Sequence, residues 1–108
     1  MEIAFANKEL RDICEIQLEA EHALGMVVAA NLRARLADLR EVASIEDMPT
    51  GNLTVRDARP PGRATVDLGE GYCLTFCANH LADRVSEKGR VEWQLVSRIK
   101  VIEIGKDQ

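Results

Sequence analysis

The sequence has few of the features that mark secreted, membrane-bound or zinc-binding proteins. No apolar run approaches the roughly 20 residues that a membrane-spanning helix needs. The first ten residues, MEIAFANKEL, contain acidic side chains where a signal peptide has its apolar core. The three cysteines are an odd number and include no C-x-x-C pair, which argues against a disulfide framework and a structural zinc site. We therefore expect a soluble cytoplasmic protein with no cofactor, no bound metal and no contact with a membrane.

The chain also lacks an excess of positive charge. Its 14 Lys and Arg residues stand against 18 Asp and Glu, a net charge of −4, which argues against indiscriminate binding to nucleic acids. The acidic residues are concentrated in the first half, because residues 1–51 carry ten acidic and five basic side chains and residues 52–108 carry eight and nine. Arg56, Arg59 and Arg63 are opposed only by Asp57 between residues 52 and 66. Any anionic ligand is therefore expected to meet the second half.

The first half has the periodicity of one strand followed by two helices. Residues 2–6 alternate as a short strand, and Asn7 is a suitable N-cap for the helix that follows. Helical spacing then relates Leu10, Ile13, Cys14, Gln17 and Ala20, and Gly25 can end this helix. A second apolar stripe is expected to face the core and consists of Val28, Leu32, Leu36, Leu39 and Ala43.

The second half has the composition of β-strands. Strands are predicted at 53–55, 64–68 and 72–77, with Gly69-Glu70-Gly71 as the turn between the last two. A polar loop is predicted at 78–90, and the run VSRIKVIEI (96–104) is typical of a central strand. The order β-α-α-β-β-β predicts one α+β domain over residues 1–108, a sandwich of two helices on one antiparallel sheet. The first strand is expected to pair inside that sheet.

The stretch GYCLTFC (71–77) raises the question of a chemical site. Cys73 and Cys77 point to one face of a strand but lie roughly 13 Å apart along it, too far to share a metal ion with His80 unless the strand bends. Burial as small side chains is the expected role of both thiols, with a regulatory redox thiol as the alternative. Cys14 is expected to pack in the core.

Several basic and aromatic residues of this half can have either a functional or a purely structural role. Arg56, Arg59 and Arg63 can contact an anion, held in place by the stiff Pro60-Pro61-Gly62 turn, or can be charges on a solvated loop. Arg98 and Lys100 share a strand face and can contact RNA, or Glu103 and Asp67 can neutralise them. Tyr72 can stack on a base or act as an acid, or can pack across the hairpin. Trp93 is expected to anchor the closing strand to the core.

Three stretches, taken in order, resemble one family. MEIAFANKELRDIC, VDLGEGYCLTF and VEWQLVSRIKVIEIGKDQ are similar to the opening strand and helix, the strand-turn-strand and the closing segment of the RelE/ParE superfamily of bacterial toxins. Within it they resemble more closely the HigB-like branch, the plasmid maintenance killer proteins. The resemblance implies the toxin of a type II toxin–antitoxin pair, bound as a hetero-oligomer by an antitoxin that carries a DNA-binding helix-turn-helix.

RelE-like toxins cleave mRNA in the ribosomal decoding site without a metal, with the 2′-hydroxyl of the RNA as nucleophile. Such chemistry needs a base, an acid for the leaving oxygen, and cations for the charged phosphorane. This chain departs from the pattern at three places. The usual Tyr-Arg pair is Tyr72-Cys73, and the usual terminal Asp-Tyr-His is replaced by Lys106-Asp107-Gln108. Two lysines of RelE are also missing, because the corresponding positions lie near Thr65 and Asp67.

The residues that remain define the predicted site. Catalysis is assigned to Arg63, Tyr72, Lys106 and Asp107, and contact with RNA is assigned to Arg56, Arg59, Arg98 and Lys100. Two other functions stay open. The chain can be a non-catalytic module that docks on the antitoxin and tunes repression of a shared operon, which its pI near 5.2 favours. It can also be an inhibitor of DNA gyrase, as ParE-like toxins are.

Overall fold

The protein forms the predicted α+β sandwich, with three helices on one face of a five-stranded sheet. The computed structural model describes residues 1–59, 61–79 and 89–106. Five strands form the sheet: β1 (Glu2–Phe5), β2 (Thr54–Asp57), β3 (Arg63–Gly69), β4 (Tyr72–Ala78) and β5 (Arg98–Lys106). The helices are α1 (Lys8–Glu15), α2 (Gln17–Leu24) and α3 (Met26–Glu41), with single 3-10 turns at Ile45–Asp47 and Trp93–Leu95. Within the described ranges, no helix has the length and hydropathy needed to cross a membrane.

The strands lie in the order β1-β5-β4-β3-β2. β5 therefore has a neighbour on both sides, as its apolar run predicted. The first strand does pair in the sheet, but it occupies an edge and runs parallel to β5, whereas the other three pairings are antiparallel. β1 and β5 are the first and last strands in the sequence, so the chain between them easily supplies the long connection that a parallel pair requires.

The first predicted helix is two helices, which corrects the expectation of a two-helix layer. Ile16 separates α1 from α2 with an extended backbone, φ −112° and ψ 111°. In one continuous helix Ala20 would lie about 120° around the axis from Cys14, at the far edge of the apolar stripe. The break allows both to be buried, while Gln17, which was predicted on the buried stripe, is exposed. Both predicted ends are confirmed, because the Asn7 side chain accepts a hydrogen bond from the Leu10 N–H at 2.9 Å and Gly25 follows α2.

The core lies between α3 and the sheet. Four residues of the predicted α3 stripe are at most 1% exposed, namely Val28, Leu32, Leu36 and Leu39. Ala43, the fifth, lies beyond the end of α3 and is exposed. The stripe packs in one cluster with sheet residues Ala64, Val66, Leu68, Leu74, Phe76, Ile99 and Val101. Trp93 is buried against Phe76, which confirms its role as a core anchor.

Cys14 is expected to make stability depend on alkaline pH. Its thiol lies in the core, and burial raises its pKa from 9.0 to about 12. Between these values the unfolded thiol has lost its proton and the folded thiol has kept it. The free energy of unfolding should therefore fall as pH rises through this window, by at most about 1.4 kcal/mol per pH unit from this group. Urea unfolding at pH 8, 10 and 11 should show a shallower decline in Cys14→Ala than in the wild type, and equal declines would contradict the assignment.

Candidate functional site

Polar and small side chains cover the sheet face opposite the helices, which we call the open face. On β3, Arg63, Thr65 and Asp67 alternate with core residues, and on β4 Cys73, Thr75 and Cys77 do the same. This alternation follows from the two-residue period of a strand. Both thiols are buried, as predicted, although they lie outside the main core cluster.

A bulge in β5 changes which of its residues reach the open face. Thr75 pairs with Glu103, whereas the next residue, Phe76, pairs with Val101, so Ile102 is an extra residue in β5. In a regular strand Glu103 would share the core face with Ile99 and Val101. The bulge turns Glu103 to the open face, because an inserted residue reverses the alternation that follows it.

A second bulge lies in β2, at the edge of the sheet. Val55 pairs with Ala64 and Asp57 with Arg63, so Arg56 is the extra residue. Its guanidinium Nε donates a hydrogen bond to the Thr65 Oγ1 at 3.0 Å. The bulge and this contact bring Arg56 onto the open face beside β3.

Two neighbouring cavities occupy the open face. The first, which we call the cationic cavity, has a volume of about 210 Å³ and is lined by Arg56, Arg63, Thr65, Thr75, Glu103 and Lys106. The second, which we call the loop cavity, has a volume of about 370 Å³ and is lined by Arg59, Pro61, Arg63, Cys77, Lys100 and Ile102. Arg63 lines both cavities and therefore connects them.

The charges of the two cavities differ in how far they are neutralised. Arg63, Lys100 and Lys106 form no ion pair with any carboxylate of residues 1–59, 61–79 and 89–106. Arg59, in contrast, binds Asp57 through its guanidinium Nε at 3.3 Å. The backbone N–H and the side chain of Arg59 hold the pKa of Asp57 below its usual range. Each cavity therefore contains Arg63 and one lysine, Lys106 or Lys100, that form no ion pair with a described carboxylate.

Cys77 forms part of the floor of the loop cavity and pairs with Lys100 across the strands. Burial raises the pKa of its thiol, and the Lys100 ammonium acts in the opposite direction. Cys77 therefore remains a neutral thiol near pH 7. Lys100 supplies the positive charge at this end of the open face.

Several predicted site residues lie elsewhere. Arg98 lies in another cavity beside Asn79 and forms an ion pair with Glu2, its partner on β1, at 2.9 Å. Tyr72 packs against the core cluster and lines neither cavity, but its ring lies 5.6 Å from the Lys106 Nζ. Asp107, His80 and Pro60 lie outside the described residues.

Three polar residues of the cationic cavity were not among the predicted site residues. Thr65 and Thr75 share strand faces with Arg63 and Cys73, so the alternation of β3 and β4 contained a signal for them. Glu103 was considered only as a residue that can neutralise Arg98 and Lys100, and simple alternation places it on the core face. Only the pairing of β5 with β4 reveals its position.

The arrangement can bind a phosphodiester. Two guanidiniums and one ammonium supply cations, two threonine hydroxyls can donate hydrogen bonds, and Glu103 supplies one carboxylate that can accept a proton. Among the residues that the structure describes, no group of three or more His, Cys, Asp and Glu side chains is placed to hold a metal ion. Cys73 and Cys77 line different cavities.

Comparison of the chain with models of protein families, with curated proteins and with solved structures finds no match. The resemblance to RelE/ParE toxins therefore stays a prediction from the sequence motifs. The α+β fold itself agrees with that prediction. Any functional conclusion therefore rests on the residues that line the two cavities.

Proposed function

We propose that the chain is a cytoplasmic toxin of a type II toxin–antitoxin pair, similar to HigB, that binds and cleaves mRNA on the ribosome with the open face of its sheet. One observation carries the proposal: Arg63 lines two adjoining cavities, with Arg56 and Lys106 on one side and Arg59 and Lys100 on the other. Cations supplied by β2, β3, β5 and the loop before β3 suit an extended polyanion better than a single small anion. Arg63 is the residue best placed to hold the reacting phosphate.

The chemistry of the cations supports a phosphodiester as ligand. A guanidinium can hold two phosphate oxygens at once and keeps its charge at any physiological pH, as the stabilisation of a phosphorane requires. Ten of the 18 acidic residues lie in residues 1–51, and the acidic residues that line the two cavities are Glu103 and Asp57. Tyr72 acts in this proposal by positioning Lys106, whose ammonium lies over its ring.

Replacement of Arg63 should weaken RNA binding more than replacement of any other cation here. Arg63→Ala is expected to reduce affinity for a single-stranded RNA oligonucleotide by about 10- to 100-fold, because a charge-assisted hydrogen bond contributes about 1.5–3 kcal/mol. The dependence of log K on log salt should flatten by about 0.7 for each phosphate that the variant no longer neutralises. Fluorescence anisotropy at several salt concentrations measures both quantities.

Arg33→Ala provides a matched control, because Arg33 is an exposed arginine on α3 and its removal changes the net charge equally. It should leave affinity nearly unchanged. Equal reductions of affinity in the two variants would mean that only net charge matters, and would contradict an RNA site at Arg63. In cells that lack the antitoxin, growth arrest with new transcript ends should accompany the wild type and disappear with Arg63→Ala.

A second candidate function is a non-catalytic module that binds a helix-turn-helix antitoxin. Large apolar side chains exposed in the acidic half favour a protein partner there, namely Ile16, Leu18, Met26 and Val27, which are 47–75% exposed. This function predicts normal growth and intact transcripts when the chain is expressed alone. It also predicts that Leu18→Arg weakens antitoxin binding and that Arg63→Ala does not.

A further inference from the structure

We infer that Glu103 is the general base that takes the proton from the attacking 2′-hydroxyl in the proposed RNA cleavage. The inference rests on the proposed function and adds a catalytic residue to it. It starts from the bulge in β5, which turns Glu103 away from the core face and into the cavity lined by Arg63 and Lys106. Bulges that redirect one side chain are frequent beside active sites.

The carboxylate of Glu103 is available as a proton acceptor. Within the described part of the chain it forms no ion pair, although Arg56, Arg63 and Lys106 line the same cavity. A residue whose role was only to neutralise these cations would be expected to contact one of them. Its Oε1 lies beside Gly105, 3.9 Å from the position that a Cβ would occupy there. The missing side chain at Gly105 gives the carboxylate room on the sheet surface.

The pairing of the strands sets the distance between Glu103 and the cations. Glu103 lies on β5 opposite Thr75, and Thr75 lies on β4 opposite Thr65. Arg63 is on β3, two strands from Glu103, so about 10 Å separates the two strand axes. No ion pair between the Glu103 carboxylate and the Arg63 guanidinium closes this gap, and the cavity that both residues line has a volume of about 210 Å³. The two threonines form the floor of the gap.

The proposed step balances with Glu103, Arg63 and solvent water. Glu103 accepts the proton of the 2′-hydroxyl as the 2′-oxygen forms a bond to phosphorus, and Arg63 holds the non-bridging oxygens of the phosphorane. The bond between phosphorus and the 5′-oxygen then breaks, and a water molecule donates a proton to that oxygen. The products are a 2′,3′-cyclic phosphate and a 5′-hydroxyl. Glu103 regains its starting state when it gives its proton to the hydroxide that the water leaves.

Glu103→Gln separates catalysis from binding, because the amide has the same shape as the carboxylate but cannot act as the base. The variant should bind single-stranded RNA as tightly as the wild type or more tightly, since a negative charge has left a cationic cavity. Cleavage of mRNA on purified ribosomes should fall by about 10²- to 10⁴-fold, the usual contribution of general-base catalysis.

Glu41→Gln is the matched control, because it removes the same charge from the exposed end of α3. Circular dichroism would check that both variants fold. Binding without loss of cleavage in Glu103→Gln would overturn the inference, and so would a wild type that binds RNA and cuts none, which would leave only the binding part of the proposed function. A wild type that neither binds nor cuts RNA would overturn the proposed function itself. Loss of cleavage with binding retained, and 5′-hydroxyl ends in the wild-type products, supports Glu103 as the base.

Discussion

Replacing Phe76 with alanine is expected to lower the free energy of unfolding by about 3–5 kcal/mol. The Phe76 ring is fully buried at the centre of β4 and meets the Trp93 ring edge-on, with centroids 6.3 Å apart and planes at 89°. Such an aromatic pair contributes about 0.5–1.5 kcal/mol beyond the burial of its area. Because domains of this size have a total stability of only about 5–15 kcal/mol, the variant should unfold at a much lower urea concentration.

The chain has a single tryptophan, so the fluorescence of Trp93 reports directly on this aromatic pair. Thr75→Ala is the matched control, because Thr75 is the preceding residue of β4 and is only partly buried on the open face. It should cost less than about 1 kcal/mol, as surface substitutions usually do. Similar destabilisation of the two variants would contradict the assignment of one face of β4 to the core and the other to the open face.

The parts of the fold that could be predicted depend on local chemistry. The α3 stripe repeats every three or four residues, so the helical period alone identifies its buried face. Asn7 caps α1 with its own side chain, and Gly69-Glu70-Gly71 forms the turn that its composition predicts. In each case the residues that determine the structure are neighbours in the sequence.

The parts that could not be predicted depend on pairing between distant segments. The break at Ile16 divides the predicted first helix in two, and the helical spacing of its apolar stripe contained no sign of it. The bulge that exposes Glu103 exists only in the register between β4 and β5. Arg98 is neutralised because β1 runs parallel to β5 and brings Glu2 beside it. Composition and periodicity do not show which residues of two distant strands pair with each other.

The candidate site shows the same division. Arg56, Arg59 and Arg63 were predicted as one group from their spacing, and they do line the adjoining cavities. That Lys100 and Lys106 join them from β5 follows from the strand order, which places β4 between β3 and β5. The net charge of the chain therefore does not show how charge is distributed over its surface, since the sheet brings these cations together while ten of the 18 acidic residues lie in residues 1–51.

Replacing Gly62 with alanine is expected both to destabilise the fold and to displace residues that line the loop cavity. Gly62 has φ +76°, where a side chain costs about 1–3 kcal/mol. A Cβ would also lie 2.8 Å from the Val91 Cγ2 and 2.9 Å from the Trp93 Cζ2, and overpacking of this kind costs about 1–3 kcal/mol more. The Gly62 N–H donates to the Arg59 carbonyl at 2.6 Å, so a shift here also moves the turn that leads into Arg63.

Gly71→Ala separates the two contributions. Gly71 has a similar φ of +82°, but a Cβ there would meet nothing within 4 Å. It should therefore show the backbone strain alone, and the difference between the two variants in urea unfolding measures the clash with Val91 and Trp93. RNA affinity should fall in Gly62→Ala and remain near the wild-type value in Gly71→Ala, because only Gly62 lies in the wall of the loop cavity. If stability and affinity fell equally in the two variants, the packing of the turn against Trp93 would not be what holds Arg63 in place.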